Sequence, residues 1–185
     1  MEIMKQSRGS YARGFTLIEL LVVISIVGLL SSFVMASLND AQISAQYTVA
    51  KQAMKQISDA TMLLSPDGTR LMSVTGSNCS DCVCRYEYGG PADLKNIPNS
   101  DVCMTNWISA ITKIDSGSTL INNTQPYLRD PWGSPYLLDE NELEHDPADC
   151  VHDAIRTAGP DGQTSTPDDY VYFIPLRTSN CAGKL

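Results

Sequence analysis

Asp161, Asp168 and Asp169 flank a short turn rich in Gly, Ser and Thr, within the run TAGPDGQTSTPDDYVYF at residues 157–173. No Lys or Arg stands inside that run. Carboxylates crowded into one loop repel each other unless a cation bridges them. Hard oxygen donors without His or Cys suit calcium better than zinc or copper. The alternate-residue acidic spacing and the twelfth-position Glu of an EF-hand are absent. On composition alone, a solvated acidic turn accounts for the pattern at least as well.

The second reactive set is sulfur. Cys79, Cys82, Cys84, Cys103, Cys150 and Cys181 all follow residue 78, and three of them sit in CSDCVCRYEYGG. A CxxCxC run can be half of a zinc site, but no second metal-spaced Cys or His pair accompanies it. Disulfides are the stronger expectation. Cys82 and Cys84 stand too close in sequence to bridge each other comfortably, and Cys150 with Cys181 is the preferred pair because both flank the C-terminal strands. His145 and His152 are isolated from any nucleophile pattern, and no Ser/His/Asp or metal-ligand constellation marks a hydrolase. No catalysis is expected of this chain.

The third chemical feature is Glu19, placed inside the apolar run RGFTLIELLVVISIVGLLSSFVMASL at residues 13–38. The run has about 24 apolar residues, enough to cross a bilayer. A carboxylate near the head of a membrane helix costs about 2.5–3.5 kcal/mol on insertion scales and calls for a partner. The basic, Ser-rich stretch MEIMKQSRGSYARG precedes the run, and no small-residue cleavage site follows it, as an ordinary secretory signal would require.

These residues need elements to carry them. From Phe15 to Ser65 there is no proline and Gly28 is the sole glycine, until Pro66-Asp67-Gly68 stops the pattern. The spacing predicts one helix of about 75 Å at 1.5 Å per residue. Its first half is apolar all round. After Asn39-Asp40, the residues Ile43, Tyr47, Ala50, Met54, Ile57, Thr61 and Leu64 recur at alternating steps of four and three, which is one apolar stripe on a polar helix. Residues 106–114 predict a short helix, and SPYLLDE and DYVYFIPL predict strands bounded by turn residues.

Composition narrows the partners. The formal charge is −8, with +2 on residues 1–14 and therefore −10 on everything after Gly14. So acidic a body is a poor nucleic-acid binder, since such binding needs Lys and Arg to displace counterions. It suits a secreted surface or divalent cations. With the basic end cytoplasmic, the positive-inside rule places every cysteine in an oxidising compartment.

RGFTLIEL resembles the class III signal of type IV pilins and type II secretion pseudopilins, and YLRDPWGSPYLL at residues 127–138 resembles the Asp-Pro-Trp-Gly-x-Pro-Tyr signature of the major pseudopilin. The resemblance implies an α+β pilin fold, with a long N-terminal spine on a small antiparallel sheet. It also implies peptidase cleavage between Gly14 and Phe15 and methylation of the new Phe15 amine. Glu19 would pair with the Phe15 amine of a neighbouring subunit. At the acidic turn it implies a structural calcium held by the side chains of Asp161, Asp168 and Asp169 and the carbonyls of Ala158 and Thr166. The turn departs from the family in carrying QTST for glycines and Pro167 before the acidic pair, and Ala36 stands where many members have a proline.

The implied organisation is a leader at 1–14, a membrane and filament-core helix at 15–38, and an amphipathic helix of the head at 39–65. A disulfide-containing variable region follows at 66–126, then a sheet with its acidic loop at 127–185. HDPADCVHDAIR, residues 145–156, reads as an insertion between the Trp-Gly motif and that loop. The implied function is a prepilin that polymerises into a type IV pilus or type II secretion pseudopilus. Its partners would be further copies of itself, the prepilin peptidase, the assembly platform and minor pilins. It would sit as a single-pass protein in the bacterial inner membrane, head outward, and later in the filament. Alternatives are a membrane-anchored monomeric binding or adhesion module, or a competence pilus subunit.

Overall fold

The computed structural model describes residues 14–64, 70–77, 79–140 and 151–175. The leader up to Arg13, the Pro66-Asp67-Gly68 stop, His145, Cys150 and Cys181 lie outside the described residues, and with them the expected Cys150–Cys181 bridge. The chain divides into two compact units, Met1–Gln42 and Ile43–Leu185.

In the first unit, helix α1 (Leu17–Leu64) begins after three non-helical residues, Gly14 to Thr16. It continues through Gly28 as α-helix. Its leading part is apolar on every side and exposed among the described residues, as Ile18, Leu21, Ile24, Leu29 and Phe33 illustrate. It is long and apolar enough to cross a membrane. Water would penalise so much exposed apolar surface, so lipid or other helices must surround it.

In the second unit, the rest of α1 turns its stripe inward. Ala50, Met54, Ile57 and Thr61 are buried, while Lys51, Gln52, Lys55 and Gln56 face water. The stripe packs with Trp107, Ile111 and Ile114 of α3 (Val102–Gly117) and with Tyr136, Leu138, Ile155 and Ile174 of the sheet region. Helix α2 (Leu71–Thr75) is a single short turn region whose Leu71 joins the same core. Helix α3 is longer than residues 106–114. The Asp101 side chain caps it by accepting the Cys103 N–H, which moves the start back to Val102.

The sheet is antiparallel with order β1-β2-β3: β1 is Leu137–Asp139, β2 Ala154–Thr157 and β3 Tyr170–Phe173. Two strands fall where the sequence pattern put them. The middle strand does not, because Ala154–Thr157 overlaps the end of the stretch read as an insertion. Its AIRT sequence is too short to show a period, and it is held by pairing on both sides, Leu138 opposite Ile155 and Ile155 opposite Tyr172. Period-two alternation then splits the sheet's faces. Leu138 and Ile155 join the α1–α3 core, whereas Leu137 belongs to a second cluster with Cys84, Leu94, Ile97, Cys103, Met104 and Ala158. The chain thus has an α+β, pilin-like architecture.

Candidate functional site

At the head of α1, Thr16 and Glu19 satisfy each other. Glu19 Oε2 accepts from both the Thr16 N–H and the Thr16 hydroxyl at 2.8 Å. The Glu19 N–H in turn reaches Thr16 Oγ1 at 3.3 Å. This is a capping box, in which the first residue and the third helical residue cover each other's unpaired backbone donors. The signal was present as T-x-x-E, but the membrane-helix reading treated Glu19 only as a charge in need of a distant partner. Glu19 Oε1 takes no part in these bonds, so capping leaves one carboxylate oxygen available to a cation.

In the second unit, the acidic loop folds its three carboxylates together. One ligand oxygen from each of Asp161, Asp168 and Asp169 can be chosen so that all lie within 4.8 Å of one another. Local hydrogen bonds hold this arrangement. Asp168 Oδ2 accepts the Asp161 N–H at 3.0 Å, and Asp169 Oδ2 the Ser165 N–H at 2.7 Å. The Thr166 hydroxyl lies 2.7 Å from Asp168 Oδ1 and 3.0 Å from Asp169 Oδ1. Gly159, at φ +62°, permits the tight approach, because a Cβ there would stand 2.5 Å from the Asp168 carbonyl oxygen. Among the described residues, no Lys or Arg forms an ion pair with any of the three.

Asp168 and Asp169 are shifted in opposite directions. Burial acts to raise Asp168, but the hydrogen bonds from Thr166 and the Asp161 N–H outweigh it and hold the group below the usual carboxylate range. Burial keeps Asp169 above that range, against the lowering effect of the Ser165 N–H. Of the two expected carbonyl donors, Thr166 already accepts the Asp169 N–H at 3.2 Å, and Ala158 is fully buried in the second cluster.

The Asp-Pro-Trp-Gly turn lies beside this loop, and one helix residue ties the two together. Tyr47 of α1 donates its hydroxyl to the Asp168 carbonyl at 2.6 Å, and its ring meets Trp132 edge-on at 4.8 Å. Burial, with the three aspartates adding to it, pushes the Tyr47 hydroxyl above its ordinary range. Within the turn, Asp130 Oδ1 accepts the N–H groups of Trp132 and Ser134 at 3.0 Å, and Oδ2 accepts the Thr157 hydroxyl at 2.5 Å. Asp130 therefore ties the turn to β2. Trp132 packs on the spine helix rather than only on the sheet.

The Cys-rich segment supports the loop from its other side. The Tyr86 N–H reaches Thr164 Oγ1 at 3.2 Å, and the Leu94 N–H reaches the Gly162 carbonyl at 2.8 Å. Among the described residues two bridges form, Cys79–Cys82 and Cys84–Cys103. Sequence reasoning missed the buried ion network beside them. Arg85 pairs with Asp81 at 2.9 Å and with Asp139, and Arg156 pairs with Asp139 at 3.2 Å. Ser80 donates its N–H and hydroxyl to Glu140 at 2.8 and 2.7 Å. The 80–85 segment, Asp139–Glu140 and Arg156 are far apart in sequence, and their charges look like ordinary surface charge until the chain folds. His152 accordingly serves packing: its Nδ1 lies 2.9 Å from the Ile174 carbonyl and its ring meets Phe173 edge-on.

No curated protein and no solved structure matches this chain significantly. A family model does match. Residues 9–35, spanning RGFTLIEL and the apolar half of α1, fit the prokaryotic N-terminal methylation motif. The chain therefore carries the class III signal of type IV pilins and pseudopilins, the mark of a membrane-associated prepilin-type substrate of the prepilin peptidase.

Proposed function

We propose that the chain is a structural subunit that polymerises into a pilus or pseudopilus after cleavage between Gly14 and Phe15 and methylation of Phe15. The observation that carries this reading is the methylation motif at the head of a helix whose leading half is apolar on every face and uncovered. Such a helix in a filament stays dry only by bundling with copies of itself. The Phe15 amine freed by cleavage is cationic, and Glu19 of a neighbour offers it an oxygen that the capping box does not use. A carboxylate and an ammonium in low dielectric attract strongly, while either alone is penalised. This sets the axial register of each incoming subunit.

The acidic loop supports a structural calcium in the head. Its donor set is hard oxygen only, its carboxylates converge, and a cation there would relieve their mutual repulsion. Asp161, Asp168 and Asp169 would hold it, with the Ala158 and Thr166 carbonyls as further donors. The ion would tie the 157–169 segment to α1 through Tyr47.

Glu19→Ala subunits are expected to insert in the membrane, to lose leader and gain methyl normally, and to stay out of filaments. Intact mass of the membrane-bound chain and the yield of sheared filament measure both. A mature Phe15 terminus with wild-type filament yield from that variant defeats the pairing, and recovery of native chain still starting at Met1 defeats the processing.

A further inference from the structure

The two disulfides among the described residues are of opposite character. Cys84–Cys103 has a sequence separation of 19, and its two residues are 1% and 0% exposed within the second core cluster. Cys79–Cys82 has a separation of 3, and both its cysteines are partly exposed. A bridge stabilises mainly by restricting the unfolded chain, less so for a shorter loop. Opening Cys79–Cys82 therefore costs the fold little. The intervening residues are anchored without it, Ser80 by its two bonds to Glu140 and Asp81 by its N–H to the Leu138 carbonyl and its carboxylate to Arg85.

The reduced pair also gains something. Cys79 Sγ lies 3.2 Å from Asp81 Oδ1. A disulfide sulfur has no hydrogen, so in the bridged form this approach is not a hydrogen bond. A Cys79 thiol at the same place would donate one to a buried carboxylate. This interaction favours the dithiol over the disulfide and makes the bridge a better oxidant.

We propose that Cys79–Cys82 is an exchangeable redox site that accepts electrons from dithiol reductants, while Cys84–Cys103 is structural. In the exchange, a thiolate of the reductant attacks one bridge sulfur. The S–S bond breaks, and its electron pair leaves on the other sulfur, which takes a proton from water. The second thiol of the reductant loses its proton and displaces the remaining cysteine from the mixed disulfide. Two electrons and two protons reach Cys79 and Cys82, and the reductant closes into its own disulfide.

The test titrates the full-length chain in detergent with dithiothreitol, quenches with an alkylating agent and maps the labelled cysteines by peptide mass. Cys79 and Cys82 should be half-labelled at about ten-fold less reductant than Cys84 and Cys103, a ratio that reflects their equilibrium constants. Simultaneous labelling of all four, earlier labelling of Cys84 and Cys103, or recovery of Cys79 bonded to Cys150 or Cys181 would each overturn the assignment. A paired check uses variants. The Cys79→Ser/Cys82→Ser chain should unfold at the wild-type urea midpoint and the Cys84→Ser/Cys103→Ser chain at a lower one. An equal drop in both would show that the Cys79–Cys82 bridge is structural after all.

Discussion

Glu19 carries two tasks at one position, and a single isosteric change separates them. As the third helical residue it caps α1 through Thr16, a role that Gln fills nearly as well as Glu. As a counter-charge for a neighbour's amine it must be ionised. Glu19→Gln is therefore expected to leave the far-UV circular dichroism of the unpolymerised chain unchanged while filament yield collapses. Unchanged helicity with intact filaments would assign Glu19 to capping alone. Asp130 is the second residue with disproportionate weight. It is 5% exposed and accepts three hydrogen bonds that shape the Trp132 turn and fasten it to Thr157. Hydrogen bonds to a charged group contribute roughly 1.5–3 kcal/mol, and unsatisfied buried partners add a penalty. Asp130→Ala should lower the stability of the head by about 3 kcal/mol, read as a shift in urea midpoint by tryptophan fluorescence.

At the scale of elements, α1 serves two environments with one continuous helix, and its substitutions should divide accordingly. Ile57 is fully buried against α3 and the sheet, whereas Val49 on the same helix is 55% exposed. Ile57→Ala is expected to cost about 3 kcal/mol of head stability, within the range for large-to-small core changes. Val49→Ala should change it by no more than about 0.5 kcal/mol, so equal effects on the urea midpoint would contradict the packing. The helix was legible in the sequence because its stripe repeats over many turns and no proline interrupts it. The outer strands were legible as well, since Tyr136 to Leu138 and Tyr170 to Phe173 are apolar runs bounded by Pro, Gly and Asp. Ala154–Thr157 was not, because a four-residue strand carries too few positions to show a period and owes its conformation to its neighbours. The acidic trio was legible by spacing within one loop. The Asp81–Arg85–Asp139–Arg156 network was not, since its 81–85 pair meets Asp139 and Arg156 only in the folded head, where β1 and β2 lie side by side.

At the scale of the molecule, the acidic head stores proton-linked stability in buried carboxyls that are distinct from the proposed calcium loop. Burial, with the Asp139 charge adding to it, pushes Asp81 up to about 6, and burial pushes Glu140 up to about 7. Unfolded carboxyls titrate near 4. Between pH about 4 and about 7 the folded chain thus binds more protons than the unfolded one, and stability falls as pH rises through that window. With a chelator present, the thermal midpoint should be higher at pH 5.5 than at pH 7.5, and Glu140→Gln should flatten part of that slope. Asp168 works in the opposite sense, but its lowered titration acts below pH about 4 and leaves the window untouched. Calcium held as proposed should raise the midpoint at both pH values, because Asp168 is already ionised across that window. A ligand that binds only the folded state at about 100 times its dissociation constant adds roughly 2.7 kcal/mol. For a chain of this size that amounts to about 5–10 °C in thermal midpoint. The gain should be present at pH 7.5, disappear in Asp168→Asn, and be reduced in Tyr47→Phe, which frees the Asp168 carbonyl from the helix. Magnesium, which demands a tighter octahedral shell, should not reproduce it. A midpoint that ignores calcium in the wild-type chain would leave the three aspartates as a solvated turn held by Thr166, Ser165 and Gly159, and the stiffness of the head would then rest on its disulfides and core alone.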